Sequence, residues 1–344
     1  MSTAEFSTRM HREAAESAEV VHRQLAANAA AIGRLAAQLR RSPPRAVVTC
    51  ARGSSDNAAT FARYLIETRL GLLTSSAAPS VSSVYEATPD LAATVLLAIS
   101  QSGASPDLLA TVSRARTAGA RIVALVNEEA SALAQLADDL IALRAGPERS
   151  VAATKSYIAS LAAIVQLVAH WARDAPLEAA LGETPGLLTR AWQLDWSPAV
   201  SGLRGARDLY VIGRGPGLGI AQEVALKLKE TCALHAEAVS AAELRHGPLA
   251  LVGAHFPLLV FAQHDESHAG VVALAEELAG QGADVLIAGA EVAHATALPC
   301  QAAHPLIEPM LLAQSSYRMV NALALARGID PDRPPNLSKV TETV

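Results

Sequence analysis

Serine side chains follow two apolar, strand-like segments in the first half of the chain. Ser54 and Ser55 come after one segment, and Ser100, Ser102 and Ser105 come after the next. Hydroxyls and backbone N–H groups at a helix start can surround a phosphate dianion without a large positive field. In open α/β sheets, ligands sit outside the carboxyl ends of the strands, so these five hydroxyls favour an anion site. The competing interpretation, that the serines only cap helices, stays open.

These loops do not indicate a nucleotide site. Neither contains a lysine, and neither matches a P-loop or a GxGxxG fingerprint. The matching loops of the second half, residues 213–219 and 263–267, are glycine-rich in the first case and carry two acids in the second. Since extra negative charge suits a phosphate poorly, we expect the first half to bind the anion and the second half to supply other groups.

A lysine, a glutamate and a histidine of the second half have the chemistry to move protons. Lys227 and Glu230 are three residues apart in a helical segment and therefore share one face. His246 precedes Gly247-Pro248, which predicts a loop position. Beside a phosphate pocket, such groups would suit proton transfer on a sugar. The alternatives are a solvated surface ion pair and a histidine without a special role.

The apolar pattern predicts the scaffold that must position these residues. Short apolar segments rich in β-branched residues alternate with helical segments, which is typical of a parallel sheet covered on both faces. The predicted helices of the first half span residues 5–40, 57–68 and 106–118. The predicted strands span residues 46–50, 94–99 and 121–126. We therefore predict an α/β fold of the flavodoxin-like, three-layer αβα type.

The second half repeats the rhythm of the first. Matching residues lie 162 or 163 positions apart, as in the pairs Arg52 and Arg214, Leu96 and Leu258, and Gly119 and Gly282. This nearly constant offset favours a duplicated α/β unit over a chance likeness between two doubly wound domains.

Breaks in the helical pattern predict the domain limits. Gly182, Pro185, Gly186 and Pro198 interrupt the pattern, so we expect a boundary near residues 180–200. The predicted parts are an N-terminal helical segment (1–42), a phosphate-binding domain (43–190), a second domain of the same type (191–330) and an extended C-terminal tail (331–344).

The composition excludes several classes of protein. Hydrophobic residues make up 51% and charged residues 18%, which argues against a disordered chain. Aromatic residues make up 3% and the net charge is -5, so neither base stacking nor a basic field favours nucleic acid. The N-terminus is too polar for a signal peptide, and the longest apolar segment, 156–172, is too short for a membrane span. With three widely spaced cysteines, the sequence predicts a cytoplasmic protein that binds no membrane.

Five motifs, in order, resemble those of the SIS (sugar isomerase) family. They are Ser100-Gln-Ser-Gly103, Val151-Ala-Ala-Thr-Lys155, Ala225-Leu-Lys-Leu-Lys-Glu230, His235-Ala-Glu237 and Glu243-Leu-Arg-His-Gly-Pro-Leu249. The chain is similar in particular to the isomerase half of glutamine:fructose-6-phosphate amidotransferase, also called glucosamine-6-phosphate synthase. The similarity covers about residues 10–344, and the tail Pro335–Val344 resembles the C-terminal tail of that enzyme.

The resemblance implies a role for each matching residue. Glu230 matches the base that moves a proton between C1 and C2, and Lys227 matches a lysine beside it. His246 matches a ring-opening histidine that comes from the neighbouring subunit, and Lys339 matches the tail lysine that forms a Schiff base with the ketose carbonyl. The phosphate-binding positions are matched by Ser54, Ser55, Ser100, Gln101, Ser102 and Ser105. Further candidates for substrate binding are Arg52, Gly53, Val151 and Ser338.

The chain departs from the synthase at three places. The synthase begins with a glutaminase domain that has an N-terminal cysteine, whereas this chain opens Met1-Ser2-Thr3, so we expect no glutamine hydrolysis. Arg52 stands where the synthase usually has cysteine, and Ala104 stands where it has an acid. The arginine would strengthen anion binding, contact a sugar hydroxyl or mark a different substrate.

Three hypotheses of function follow. A chain without the glutaminase domain that keeps the histidine and the lysine tail resembles the SIS-type glucosamine-6-phosphate deaminases, which form fructose 6-phosphate and ammonia. The second hypothesis is a deglycase for a fructosamine-type adduct, or an isomerase for another sugar phosphate such as galactosamine 6-phosphate. The third is a non-catalytic phosphosugar sensor. The lysine tail counts against the second hypothesis, and the presence of the base counts against the third.

The resemblance also predicts what the chain binds. No metal and no organic cofactor are implied, because Lys339 would itself supply the imine. His264 and His268 are four residues apart, but no third ligand has suitable spacing. Since His246 would come from a second subunit, we expect a homodimer with a shared site that acts on a small phosphosugar.

Overall fold

The computed structural model describes residues 8–337 and residue 339. In this part of the chain the strands are β1 (Ala46–Cys50), β2 (Thr74–Ser76), β3 (Thr94–Ser100), β4 (Arg121–Val126), β5 (Asp139–Ala142), β6 (Asp208–Gly213), β7 (His235–Ser240), β8 (Pro257–Phe261), β9 (Asp284–Ala288) and β10 (Thr296–Leu298). The helices are α1 (Arg9–Ala15), α2 (Ser17–Arg41), α3 (Ser54–Leu70), α4 (Pro79–Ser83), α5 (Pro106–Thr117), α6 (Ala132–Leu136), α7 (Lys155–Ala172), α8 (Ala175–Gln193), α9 (Ser197–Leu203), α10 (Gly217–Cys232), α11 (His268–Gly280) and α12 (Glu308–Ala326). Short 3₁₀ helices span Glu243–His246 and Pro248–Leu251.

The chain forms two compact units that interleave along the sequence. The β1–β5 unit consists of Glu19–Glu148, Lys155–Gly182 and Lys339. The β6–β10 unit consists of residues 8–18, Arg149–Thr154 and Glu183–Leu337. Each unit contains one five-stranded sheet in which every paired strand is parallel. The predicted α/β fold with two parallel sheets is therefore confirmed, and the predicted domain limits stay a prediction.

Side chains of the central strand β3 cover both faces of the β1–β5 sheet. Leu96 packs in one cluster with Val112 of α5. Its neighbours Val95 and Leu97 line the opposite face together with Ile164 of α7. Successive residues of a strand point to opposite faces, and all of β3 is buried. A strand with helices on both sides therefore needs the unbroken apolar segment that the sequence shows.

The two sheets share one strand order and one register. The first sheet runs β2-β1-β3-β4-β5, and the second, taken from its far edge, runs β7-β6-β8-β9-β10. Val48 pairs with Leu96 in the first sheet, and Tyr210 pairs with Leu258 in the second. Both partners are thus displaced by the 162 residues found in the sequence. This order is that of flavodoxin-like folds, whose ligands lie at the carboxyl edge.

Four strands, β2, β5, β7 and β10, escape prediction, and all four are sheet edges. β2 and β10 contain only three residues each, β5 contains four, and only two of the six residues of β7 are buried. Such short, half-exposed strands carry too little apolar periodicity to be recognised. The central strands, which are buried on both faces, carry the pattern that could be predicted.

The predicted break of the helix near residue 182 is wrong. Helix α8 runs continuously through Gly182, Pro185 and Gly186. Proline inside a helix removes one backbone hydrogen bond. Leu181 and Leu188, two turns apart on one face of α8, are both buried. Their tertiary packing outweighs the local preference, because most helical stability in proteins comes from burial of an apolar face.

Helix α7 contains the longest apolar segment of the sequence. Its side chains are buried, and Ile164 and Val168 lie against the β1–β5 sheet. Packing in the core therefore accounts for the hydrophobicity of this helix. Across the described ranges, 8–337 and 339, no helix has both the length and the apolar character that crossing a membrane requires.

Candidate functional site

The two serine loops lie side by side at the carboxyl edge of the β1–β5 sheet. β1 pairs with β3 in parallel, with Cys50 opposite Ala98, so the chain leaves both strands at the same edge. β1 leads to Ser54 and Ser55, the half-buried first residues of α3. β3 leads through the loop 100–105 to α5. The pairing thus brings together the two predicted groups of hydroxyls.

Helix capping does not account for these hydroxyls. The N-cap of α3 is Gly53, and Ser105 at the N-cap of α5 makes no capping hydrogen bond through its side chain. The Ser100 hydroxyl accepts a hydrogen bond from the N–H of Gly103 at 2.9 Å, and the Ser102 hydroxyl accepts one from the N–H two residues further on at 3.4 Å. A hydroxyl that accepts keeps its own proton to donate. The geometry therefore favours the anion site over capping.

Gly103 fixes the shape of the second loop. Its φ of +62° lies in the left-handed region that favours glycine. A Cβ at this position would lie 2.2 Å from Ser131 Oγ, so a side chain does not fit. Its carbonyl accepts the N–H of Leu133 in α6 at 3.1 Å, and the carbonyl of Gln101 accepts the N–H of Glu128 at 3.3 Å. The loop is therefore held in one conformation before any ligand arrives.

Arg52 joins the two serine loops through an ion pair. Its Nε donates to Oδ2 of Asp107 at 2.9 Å, and its Nη2 donates to the same oxygen at 2.5 Å. The Asp107 side chain is 1% exposed, whereas that of Arg52 is 51% exposed. Asp107 was not predicted, because 55 residues separate it from Arg52. The predicted substrate-binding arginine is thus anchored at the edge of the sheet that carries the serines.

The three cysteine thiols are fully or partly shielded from solvent. Burial, followed by the nearby Asp107 carboxylate, raises the pKa of the Cys50 thiol to about 12. Burial raises the pKa of Cys232 to about 11, and burial with the nearby Glu308 raises that of Cys300. Since the thiolate is the nucleophile, burial disfavours the reactive form of each thiol.

In the β6–β10 unit, α10 holds a buried lysine between two carboxylates. Lys227 Nζ contacts Oε2 of Glu230 and lies 3.7 Å from Oε1 of Glu223. Glu223 stands four residues before Lys227 and Glu230 stands three residues after it, so all three share one helix face. The side chains of Lys227 and Glu223 are 1% and 0% exposed, and that of Glu230 is 20% exposed. The alternative of a solvated surface pair is therefore wrong, and Glu230 is the member of the cluster that reaches solvent.

Tyr317 of α12 completes this cluster. Its hydroxyl donates to Oε1 of Glu223 at 3.1 Å. Buried charges are stable only when they are paired and hydrogen-bonded, and the two carboxylates share one ammonium here. Glu223 and Tyr317 thus hold Lys227, which in turn fixes the carboxylate of Glu230. The sequence could have indicated Glu223, because it stands four residues before Lys227 in the same helix. Tyr317 could not be found in this way, because it is 94 residues from Glu223.

His246 lies at the surface of the β6–β10 unit. It ends the 3₁₀ helix Glu243–His246, where a loop was predicted, and its side chain is exposed. The buried Leu244 and the ion pair of Arg245 with Glu277 anchor this turn. The exposed imidazole is accessible to another molecule. Its predicted use by a neighbouring subunit stays a prediction.

Lys339 contacts a buried carboxylate of the β1–β5 unit. Its Nζ lies 3.8 Å from Oε2 of Glu148, whose side chain is 0% exposed. The N–H and the hydroxyl of Ser156 also donate to Glu148, at 3.2 and 2.5 Å. Glu148 was not predicted, although it stands three residues before one of the quoted motifs. Of the other predicted contacts, Val151 is half-buried in the β6–β10 unit, and Ser338 lies outside the described residues.

The histidine pair at the start of α11 is held by partners of its own. The rings of His264 and His268 stack with centroids 4.8 Å apart. Nδ1 of His264 lies 3.0 Å from Oε1 of Glu308, and Nδ1 of His268 lies 3.1 Å from the carbonyl oxygen of Ala262. Among the residues that the structure describes, no three or more histidine, cysteine or acidic side chains are arranged to hold a metal ion.

Two stretches of the chain match the SIS domain family. Residues 41–170 contain β1–β5, and residues 202–294 contain β6–β9. Together these stretches make up more than half of the sequence. The chain therefore belongs to the SIS domain family, as its motifs indicate.

Relatives of known sequence and structure agree with this assignment. The isomerizing glutamine–fructose-6-phosphate aminotransferase of Aeropyrum pernix is 35% identical over 307 residues, which cover 83% of this chain and 49% of that protein. This chain thus spans about half the length of the curated relatives it matches.

Two solved structures share the fold over their whole length. A protein of Silicibacter pomeroyi DSS-3, provisionally assigned as a phosphosugar isomerase, is 44% identical with a TM-score of 0.91 and covers 94% of this chain and 100% of its own. The C-terminal domain of glucosamine-fructose-6-phosphate aminotransferase from Francisella tularensis is 25% identical with a TM-score of 0.87. The match covers 97% of this chain and 100% of that domain. The predicted resemblance to the isomerase half of the synthase is confirmed.

The buried charge cluster gives a test of stability. Replacing Lys227 by methionine removes the ammonium and leaves Glu223 and Glu230 facing each other. We expect the free energy of unfolding at neutral pH to fall by about 3–5 kcal/mol, as when one partner of a buried ion pair is removed. Urea denaturation measures the change. Lys229→Met, at an exposed position of the same helix, is the control, and equal small losses for both variants would contradict the cluster.

Proposed function

We propose that this chain is a phosphosugar enzyme that converts glucosamine 6-phosphate and water into fructose 6-phosphate and ammonia. The observation that carries the proposal is the position of Lys339, an amine in the same compact unit as the serine loops. It meets the buried Glu148 carboxylate. Membership of the SIS family and similarity to isomerizing aminotransferases support chemistry on a sugar phosphate.

The first proposed step is capture of the phosphate ester by the two serine loops. Their hydroxyls can donate to the ester oxygens, and the first turns of α3 and α5 add backbone N–H groups and the positive ends of helix dipoles. The loops are preorganised by Gly103 and by internal hydrogen bonds. Little conformational entropy is therefore lost when the ester binds.

The second proposed step is a proton transfer by Glu230. Once His246 has opened the sugar ring, Glu230 takes the proton from C2 and delivers it to C1. The aldehyde oxygen gains the proton that the amino group loses, so the aldose amine becomes a C2 imine of the ketose with no change in composition. Lys227 balances the charge of Glu230 and holds its carboxylate in place.

The third proposed step uses Lys339 as the nucleophile. Its amine adds to C2 and expels ammonia, which leaves an imine between the lysine and the ketose. One water then hydrolyses this imine, which releases fructose 6-phosphate and restores the free lysine. The balance over all steps is one water consumed and one ammonia formed. No oxidant or reductant is needed.

The proposed role of Glu230 as the base is tested by replacing its carboxylate with an amide. Glu230→Gln keeps the shape of the side chain, and we expect ammonia release from glucosamine 6-phosphate to fall by about 10²–10⁴-fold, with the circular dichroism spectrum unchanged. Glu276→Gln, an exposed position of α11, should retain the wild-type rate. A coupled ammonia assay measures both.

The same assay separates the alternatives. If wild-type protein releases no ammonia from any hexosamine phosphate, the proposal fails. Interconversion of an aldose and a ketose phosphate without ammonia would point to an isomerase. Release of an amino acid from a sugar-phosphate adduct would point to a deglycase.

We also propose a homodimer in which His246 serves the site of its neighbour. The exposed position of this side chain supports the assignment. Mixing the inactive variants Glu230→Gln and His246→Ala, with exchange of subunits, should restore roughly a quarter of the wild-type activity, because half of the dimers are mixed and each has one intact site. If His246 acts within its own subunit, the mixture stays inactive.

A further inference from the structure

The ion pair between Arg52 and Asp107 lies at the sheet edge that carries the two serine loops. Arg52 lies between β1 and Gly53, and Asp107 lies in the first turn of α5, two residues after Ser105. The pair therefore bridges the two serine loops from one helix start to the other. The guanidinium therefore lies at the same sheet edge as the hydroxyls of both loops.

The guanidinium keeps donors for a ligand. Both of its hydrogen bonds go to one oxygen of Asp107, through Nε and through one Nη2 proton. A guanidinium has five N–H donors, so three are without a partner among the described residues. The other oxygen of Asp107 accepts the N–H of Leu108 at 2.8 Å. Asp107 is thus fully engaged, whereas the outer edge of Arg52 is available.

Charge at this edge makes the arginine necessary. The loops 51–57 and 100–107 contain two carboxylates, Asp56 and Asp107, and their single cation is Arg52. Burial raises the pKa of Asp56, and the nearby Arg52 opposes that rise. Without Arg52, a phosphate dianion would meet two acidic side chains and no positive side chain. Hydroxyls and helix dipoles would then have to overcome that repulsion alone.

We propose that Arg52 binds the phosphate ester directly and that Asp107 is the positioning residue that holds the guanidinium there. This inference rests on the proposed function, since it concerns the same phosphate site. It explains why a half-exposed arginine is tied to a buried aspartate at this point of the fold. It also predicts that the site selects a doubly charged ester over an uncharged sugar.

The test measures binding apart from catalysis. Isothermal titration with 2-amino-2-deoxyglucitol 6-phosphate, an open-chain ester that has no carbonyl to react, gives Kd for each variant. We expect Arg52→Gln to weaken binding by about 10- to 100-fold, the effect of losing hydrogen bonds to a charged group. The wild-type Kd should rise more steeply with salt than the Kd of the variant, because the lost contact is between charges.

Asp107→Asn tests the positioning role. It should also weaken binding, and the double variant Arg52→Gln/Asp107→Asn should bind no worse than Arg52→Gln alone, because the two residues act through one contact. In the ammonia assay, both single variants should raise KM with little change in kcat. A purely structural aspartate would lower the melting temperature and leave Kd unchanged.

Arg45 provides a matched control. It precedes the same strand β1 at the opposite, amino edge, and it pairs with the exposed Asp90 at 3.1 Å. Arg45→Gln removes an arginine from an ion pair of the same unit and should leave Kd unchanged.

The outcomes separate the two proposals. An unchanged Kd in Arg52→Gln, with wild-type protein that binds the ester, overturns this inference and leaves the proposed function standing. If the wild-type protein binds no phosphate ester at all, the proposed function itself fails.

Discussion

The parallel pairing of β1 with β3 is the constraint on which the candidate site depends. Neighbouring strands lie about 4.8 Å apart, and with Cys50 opposite Ala98 both strands deliver their loops to the same edge of the sheet. A shift of one strand in the sheet order would separate the two groups of serines. Burial of β3 on both faces places this strand inside the sheet, next to β1. Packing of the core thus determines where the two serine loops meet.

The two units stabilise their charged side chains in different ways. In the β6–β10 unit, Lys227 is fully enclosed and shared by Glu223 and Glu230, so its charge serves to hold neighbours. In the β1–β5 unit, Arg52 has one buried partner and one exposed edge, so its charge is available to a ligand. A buried ammonium fits a carboxylate that must be held still, and a half-exposed guanidinium fits the recognition of a dianion.

How much could be predicted depends on the separation of the interacting residues. The pairing of Lys227 with Glu230 follows from helical spacing, and the two serine loops follow from the strand–helix alternation, so both were predicted. Contacts across the fold, such as that of Lys339 with Glu148, depend on tertiary packing that no local pattern encodes. The continuous helix around Pro185 is the reverse case, in which a strong local signal is overridden by burial.

In the proposed mechanism, Lys339 forms an imine with a sugar that is held through its phosphate. Cyanoborohydride reduces such an imine to a stable amine. Protein treated with glucosamine 6-phosphate and this reductant can therefore be digested and its peptides identified by mass spectrometry. The account predicts a sugar phosphate attached to Lys339, and little labelling when glucosamine without the phosphate is used. Attachment to another lysine, or equal labelling by the uncharged sugar, would contradict it.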